Sequence, residues 1–299
     1  MTSAAASVAA IVTAAGPHVP ALLARVEERL AELAAGHGPI LAKHAGATIA
    51  AGGKRLRPLL VLLAAGPDAQ DTDGVVAAAT AVELVHSATL VHDDVLDAAA
   101  LRRGVPTVWA TGGRAMAIAT GDLLFSRAFS ELAATGSLAA VRTLSQAGSA
   151  LAEGELLQRQ DAWNGAVSVE RYLARCELKT ARLFEASCEL GALAAQAPAE
   201  VVEALRAFGR RIGLAFQILD DVLDVAGDPA RTGKPRGTDL LDGTVTLPLI
   251  LARERDAELA AVALRSIVTA GQAGELCERI EATGAPADAT ARALGIVAE

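Results

Sequence analysis

Residues 75–97 read VVAAATAVELVHSATLVHDDVLD, and this stretch decides the class of fold. Its apolar residues recur every three or four positions, so Val75 to Leu96 is predicted to form one long helix. Five further segments have the same periodicity: Leu22 to Leu33, Ala115 to Leu132, Leu138 to Leu157, Val169 to Leu193 and Val201 to Leu223. Alternating, strand-like runs are scarce. The sequence therefore predicts an all-α helical bundle.

The composition narrows the class of protein. Hydrophobic residues make up 52% of the chain but aromatic residues only 3%, so Ala, Leu and Val dominate, and Ala and Leu are strong helix formers. A net charge of −8 argues against binding a polyanion over a broad surface, so no nucleic acid partner is expected. Cys176, Cys188 and Cys277 match neither a zinc site nor a disulfide framework, which favours a cytoplasmic location.

No Ser- or Pro-rich linker divides the 299 residues, so residues 1–299 are expected to form a single domain. The segment from Met1 to Pro17 lacks the basic start of a secretory signal and is interpreted as a frayed leader or first helix. No run of 18 or more apolar residues is free of charged or helix-breaking interruptions. We therefore expect no transmembrane segment.

One acidic motif occurs twice, as Asp93-Asp94-Val95-Leu96-Asp97 and as Asp220-Asp221-Val222-Leu223-Asp224. On a helix, the first and last aspartates of each motif share one face. Like charges at this spacing are destabilising, and oxygen ligands suit hard cations such as Mg²⁺, which binds carboxylates together with substrate phosphates. A single motif is as typical of a solvated helix end, but two near-copies favour a Mg²⁺-dependent enzyme acting on diphosphate esters.

Two basic runs complement the acidic motifs: Gly52-Gly53-Lys54-Arg55-Leu56-Arg57-Pro58 and Arg102-Arg103-Gly104. Arg binds phosphate oxygens bidentately and Lys binds them as a point charge, although basic residues also commonly end helices. His86 lies two helical turns before Asp93 and could donate to a phosphate, whereas a lone His more often serves packing. Lys179-Thr180 and Lys234 are further candidate donors.

Taken in order, these motifs resemble those of the head-to-tail trans-polyprenyl diphosphate synthases. The resemblance runs from about Gly52 to Pro248 and rests on the basic runs, His86, both aspartate motifs, Gly121-Asp122, Lys179-Thr180, Phe216-Gln217 and Gly233-Lys234. It implies the single-domain isoprenoid synthase bundle around a deep central cavity, normally as a homodimer. The resemblance also implies final helices beyond the point where this sequence ends, at Glu299.

The resemblance also implies the substrates, an allylic diphosphate and isopentenyl diphosphate, and a trinuclear Mg²⁺ cluster. Asp93, Asp97 and Asp220 would ligate the metal, while Asp94, Asp221 and Asp224 would bind metal-bound water or support those ligands. Isopentenyl diphosphate would be bound without metal by Lys54, Arg57, His86 and Arg103. The allylic diphosphate would be held by Arg102, Lys179, Thr180, Gln217 and Lys234. The implied catalytic set is Asp93, Asp94, Asp97, Arg102, Lys179, Asp220 and Lys234.

There are two departures from the family pattern. Ala98 to Ala100 follow Asp97 where relatives often carry further acidic residues, and Thr244 replaces a Lys common in many members.

The residues before Asp93 bear on product length. Val85, Ala88 and Thr89 would line the path of the growing chain, and the resemblance places a chain-stopping aromatic residue of farnesyl synthases at position 88, where this chain has Ala. We predict a product longer than farnesyl diphosphate, of long-chain length, with geranylgeranyl diphosphate as the second choice. Phe125 or Phe129 could still close the tunnel from another helix.

Two other functions fit part of the pattern. A class I terpene cyclase also ionises an allylic diphosphate with Mg²⁺, but it has no isopentenyl diphosphate for the basic runs to bind. A non-catalytic regulatory subunit of a heteromeric synthase would keep the fold but would be expected to lose motif residues, which are intact here.

Overall fold

The structure is a computed structural model that describes residues 3–36, 38–228 and 236–299, and these residues are almost entirely helical. The first half contains α1 (Ser3–Ala15), α2 (His18–Ala35), α3 (Gly38–Ala50), α4 (Leu56–Ala65), α5 (Thr72–Leu96), α6 (Val108–Ala134) and α7 (Leu138–Asp161). The second half contains α8 (Val169–Cys176), α9 (Arg182–Ala194), α10 (Ala199–Ala226), α11 (Thr238–Leu241), α12 (Leu247–Arg255), α13 (Ala257–Ala261), α14 (Ala270–Ala282) and α15 (Ala285–Ala298). A π-helical turn (Glu177–Ala181), a 3₁₀ turn (Leu264–Ser266) and a hairpin of β1 (Leu101–Arg102) and β2 (Val105–Pro106) complete the described elements.

All six predicted helical segments are helical in the structure. The expected segment from Val169 to Leu193 is divided by the π turn into α8 and α9. Helix α6 is kinked at Gly113, which has φ 75° and ψ 177°, and the helix continues on both sides. A positive φ is readily available to glycine, so the chain can bend there without ending the helix.

The contacts divide the chain into two compact units. Unit 1 comprises residues 1–148 and 185–206, and unit 2 comprises residues 149–184 and 207–299. The expectation of a single domain over residues 1–299 stays a prediction.

The core of unit 1 is built around α5, which packs against α2, α4 and α6. Asp71 caps its N-terminus, with the carboxylate accepting a hydrogen bond from the Gly74 amide at 2.8 Å. Val85 and Ala88 are fully buried along it. The core of unit 2 gathers Tyr172, Ile218 and Leu247 from three helices and the short helices that follow. Because most of α5 is buried in the core of unit 1, the position of its acidic C-terminal end is fixed by packing.

Helix α5 also has the length and apolar character of a membrane-spanning helix, with a mean hydropathy of 1.6 in its most apolar window. However, 72% of that window is buried inside the protein, as in the core helix of a globular unit. Val8–Ala15 and α2 meet the same criteria only when taken together across a 116° bend. Length and composition are therefore weak evidence for a membrane-spanning helix.

The three cysteines, Cys176, Cys188 and Cys277, are buried free thiols.

Candidate active site

The first aspartate motif occupies the last turn of α5, and its three carboxylates differ in environment. Asp97 is exposed at the C-cap and Asp93 is partly exposed one turn earlier. Asp94 is only 4% exposed, and its Oδ1 accepts a hydrogen bond from Arg102 Nε at 2.7 Å. Burial raises the pKa of Asp94, and the Arg102 hydrogen bond opposes that rise. Asp93 and Asp97 are therefore more exposed than Asp94, whose carboxylate is held by an arginine.

The β-hairpin after α5 positions both arginines of the second basic run. Its strands pair Leu101 with Pro106 and Arg102 with Val105, which leaves Arg103 and Gly104 as a two-residue turn. Both turn residues have positive φ, 52° and 78°, as a type I′ hairpin requires. A Cβ on Gly53 would lie 2.9 Å from Arg103 Nη1, so the glycine allows that guanidinium to lie against the first basic run.

Three of the residues expected to bind isopentenyl diphosphate, Arg57, His86 and Arg103, share one electrostatic environment in unit 1. Burial, with Arg57 and Arg103 close by, holds the pKa of His86 well below its ordinary value, so the imidazole is neutral. Burial lowers the pKa of Arg57 to about 10, and the nearby Arg103 acts in the same direction. Lys54 is exposed at the edge of the loop. Several cations crowded in this way favour a bound anion.

Glu83 was not singled out from the sequence, where Arg55 was quoted only as part of the first basic run. Arg55 Nη1 lies 2.7 Å from Glu83 Oε1, and the Glu83 residue is only 3% exposed. Glu83, Asp94, Arg102 and Arg103 also line one cavity of about 60 Å³ in unit 1. A charged residue within the apolar run of α5 was the only available sequence signal, because its partner lies 28 residues away.

The three carboxylates of the second aspartate motif, in unit 2, also differ in environment. Asp220 is exposed near the end of α10. Asp221 is 5% exposed, and its carboxylate accepts hydrogen bonds from the Tyr172 hydroxyl and from Gln217 Nε2, each at 2.7 Å. Burial raises the pKa of Asp221 to about 7. The Asp224 carboxylate accepts from the backbone amides of residues 238 and 239, each at 3.2 Å, and so caps α11.

Lys179 and Thr180 lie within the π turn Glu177–Ala181, a helix irregularity that is frequent at functional sites. Lys179 Nζ forms an ion pair with Glu155. The Thr180 hydroxyl donates to Gln217 Oε1 at 2.6 Å, which joins Thr180 to the hydrogen bonds of Asp221. The structure thus brings Lys179, Thr180 and Gln217 into one part of unit 2. Lys234 lies outside the described residues.

The expected chain-length residues line α5 in order. Val85 and Ala88 are fully buried, and the Thr89 hydroxyl donates to the His86 carbonyl at 2.8 Å. Phe125 stacks on His92, with 5.9 Å between the ring centroids. Their effect on product length stays a prediction.

Among residues 3–36, 38–228 and 236–299, no group of three or more His, Cys, Asp or Glu side chains is arranged to hold a metal ion by itself. The roles of the six aspartates as metal ligands stay predictions.

An all-α protein that combines an exposed aspartate pair with a nearby cationic region has the features of an isoprenoid synthase. The sequence profile of the family described as polyprenyl synthetase matches residues 39–281, and the chain belongs to this family of prenyltransferases. The match explains why two aspartate motifs and two basic runs occur together.

Known relatives agree with this assignment. The chain is 44% identical to the heptaprenyl diphosphate synthase component 2 of Geobacillus stearothermophilus, covering 81% of this chain and 75% of that protein. It is 36% identical to the octaprenyl diphosphate synthase of Escherichia coli (strain K12), covering 78% and 72%. The crystal structure of a polyprenyl synthase from Caulobacter crescentus CB15, complexed with calcium and isoprenyl diphosphate, has a TM-score of 0.86 at 38% identity, covering 93% and 86%.

Proposed function

We propose that this protein condenses an allylic diphosphate with isopentenyl diphosphate, head to tail, to give an all-trans polyprenyl diphosphate longer than the farnesyl compound. The observation that carries the proposal is the cationic region of unit 1, where Arg57 and Arg103 lie near the neutral His86, two helical turns before Asp93 on α5. A terpene cyclase would have no second diphosphate for these groups to bind.

Mg²⁺ fits the donor chemistry of the aspartate motifs. The outward carboxylates of Asp93, Asp97 and Asp220 are hard oxygen donors, and oxygens of the substrate diphosphate would complete the coordination. When bound, the ions supply positive charge that stabilises the departing diphosphate. The metal in the Caulobacter crescentus relative is calcium, another hard cation with oxygen ligands.

The side chains then have distinct tasks in the proposed reaction. Lys179, Arg102 and Thr180 hold the allylic diphosphate, whose carbon–oxygen bond breaks with the electron pair leaving on the diphosphate. Lys54, Arg57 and Arg103 hold isopentenyl diphosphate so that its double bond attacks the allylic carbon. A proton is lost as the new double bond forms, and the released diphosphate accepts it. This scheme requires no nucleophilic side chain.

A long-chain product is supported by Ala88, which offers no aromatic floor on α5, and by the heptaprenyl and octaprenyl products named for the two relatives. Geranylgeranyl diphosphate is the second choice. We also propose that the protein is a cytoplasmic homodimer.

Chain-length analysis tests the proposal directly. The purified protein is incubated with farnesyl diphosphate and labelled isopentenyl diphosphate, with Mg²⁺ or with EDTA, and the dephosphorylated products are separated by chromatography. We expect label in products beyond geranylgeranyl length only when Mg²⁺ is present. Farnesyl diphosphate that remained without label incorporation would refute the product length, and its consumption without label incorporation would favour a cyclase.

A second candidate is a component of a heteromeric synthase, which the name of the Geobacillus stearothermophilus relative favours. In that case the purified chain alone would bind isopentenyl diphosphate but would not elongate farnesyl diphosphate. Addition of a partner subunit would restore elongation. Full activity of the chain alone would exclude this candidate.

A further inference from the structure

The buried ion pair between Glu83 and Arg55 lies within the cationic region of unit 1. We propose that Glu83 is a positioning residue of the isopentenyl diphosphate site, where its buried carboxylate fixes Arg55 and balances the charge of Arg57 and Arg103. This inference rests on the function proposed above. It assigns a role in substrate binding to a carboxylate that itself repels the substrate.

The hydrogen bonds of Arg55 support this role. We call Arg55 and the groups that hold its guanidinium the Arg55 clamp. Arg55 Nη1 donates to Glu83 on α5, and Nη2 donates to the Ile49 carbonyl at 3.1 Å and to Glu27 Oε2 on α2 at 3.0 Å. One guanidinium therefore ties α2, α3 and α5 to the loop that precedes α4. Arg55 has a left-handed backbone, φ 47°, so this side chain leaves the loop in a fixed direction.

The clamp lies between the two basic residues expected to contact the substrate. Lys54 precedes Arg55 directly, and Arg57 follows it by two residues in the first turn of α4. Because the backbone of this loop is tied through Arg55, the position of both residues depends on the groups that hold its guanidinium. Glu83 is the buried one of its two carboxylate partners, with 4% of its side chain exposed against 47% for Glu27.

The charge balance supports the same role. Burial and Arg103 lower the pKa of Arg57, burial with Arg55 and Arg102 lowers the pKa of Arg103, and the Glu83 carboxylate raises the pKa of both. Without it, neighbouring guanidiniums would repel each other in a partly buried region and would separate. Glu83 therefore allows cations to gather before any diphosphate arrives.

The direction in which one substitution changes the affinity for isopentenyl diphosphate distinguishes a positioning role of Glu83 from a purely electrostatic one. Glu83→Gln keeps the size of the side chain but removes its negative charge. If the residues around the substrate stayed in place, loss of a nearby negative charge would strengthen binding of a diphosphate. If Glu83 positions the arginines, binding becomes weaker instead.

The experiment titrates isopentenyl diphosphate into the full chain without Mg²⁺ by isothermal calorimetry, since this substrate is expected to bind without metal. For Glu83→Gln we expect Kd to rise at least tenfold. Glu28→Gln is the matched control, because Glu28 is an exposed glutamate of α2 that loses the same charge without holding Arg55, and we expect at most a twofold change. Steady-state kinetics should show a raised KM for isopentenyl diphosphate, with KM for farnesyl diphosphate and kcat at saturation within about threefold of wild type.

The outcomes are distinguishable. Absence of binding to the wild-type protein would defeat the proposed function itself. Wild-type binding together with equal or tighter binding by Glu83→Gln would overturn the positioning role alone. If Glu83→Gln does not fold, the affinity of Arg55→Lys tests the positioning role instead. Lysine keeps the positive charge but lacks the planar guanidinium that donates several hydrogen bonds at once. We expect the same tenfold loss there, and wild-type affinity of Arg55→Lys would overturn the inference.

Discussion

Gly154 on α7 offers a sharp test of the region that would hold the allylic diphosphate. A Cβ at this position would lie 2.4 Å from the Lys179 backbone nitrogen and 2.7 Å from the Lys179 Cα, whereas ordinary contact begins near 3.4 Å. In Gly154→Ala the π turn must therefore move by about 1 Å, since backbone atoms cannot rotate away. Misplacement of binding groups by about 1 Å can reduce kcat/KM by roughly 100-fold.

The stability of the same variant should change little. Overpacking costs roughly 1–3 kcal/mol, and replacing Gly by Ala in a helix interior returns about 1 kcal/mol. The control is Gly148→Ala on the same helix, where a Cβ meets nothing within 4 Å. We expect the control to be stabilised by roughly 0.5–1 kcal/mol with unchanged activity.

The assay is incorporation of labelled isopentenyl diphosphate at varied farnesyl diphosphate concentrations, with thermal melting in parallel. The loss should fall on kcat/KM for farnesyl diphosphate, because Lys179 and Thr180 lie in the displaced turn. Binding of isopentenyl diphosphate without metal should be unchanged. Wild-type kcat/KM for Gly154→Ala would refute the assignment of this turn to the allylic site.

Three further outcomes are expected. Asp93→Asn should reduce Mg²⁺-dependent turnover by about 10²–10³-fold without changing metal-free binding of isopentenyl diphosphate; turnover near that of wild type would contradict its role as a ligand. Ala88→Phe should shorten the product towards farnesyl length in chromatographic analysis, and an unchanged distribution would remove α5 from the tunnel wall. Burial raises the pKa of Asp221 from 3.8 to about 7, so its contribution to stability is full below pH 3.8 and is lost as the pH rises through 7. In metal-free thermal melts, the Tm of Asp221→Asn minus that of wild type should therefore increase from pH 5 to pH 8, and a constant difference would contradict the shift.

Long helices could be predicted from the sequence because their pattern repeats over many turns. Helix α5 was predicted to within a few residues, since its apolar run is long and ends at an acidic motif. The short helices α3 and α4 were not assigned, because they span 13 and 10 residues and carry Gly or Pro in their first turns. A few turns do not establish a period when Ala and Gly are common throughout the chain.

The candidate site could be predicted at the level of residue types but not of individual partners. Spacing alone identified both aspartate motifs. The groups that hold Asp94, Asp221 and Asp224 lie elsewhere in the chain: Arg102 is 8 residues away, Tyr172 is 49 and Thr238 is 14. The ion pair of Arg55 with Glu83 spans 28 residues. No local pattern encodes such pairs, because they depend on how helices pack.

Helix geometry explains why the paired aspartates at the start of each motif behave differently. Successive residues on a helix point about 100° apart, so the two members of an Asp-Asp pair cannot share one face. In both motifs the first aspartate, Asp93 or Asp220, is at least partly exposed, and the second, Asp94 or Asp221, is buried. A buried carboxylate requires hydrogen-bond donors, which Arg102 supplies to one and Tyr172 with Gln217 to the other. The second aspartate of each pair therefore fixes the end of its helix, and under the proposed function the first aspartate, on a more exposed face, would meet the cation.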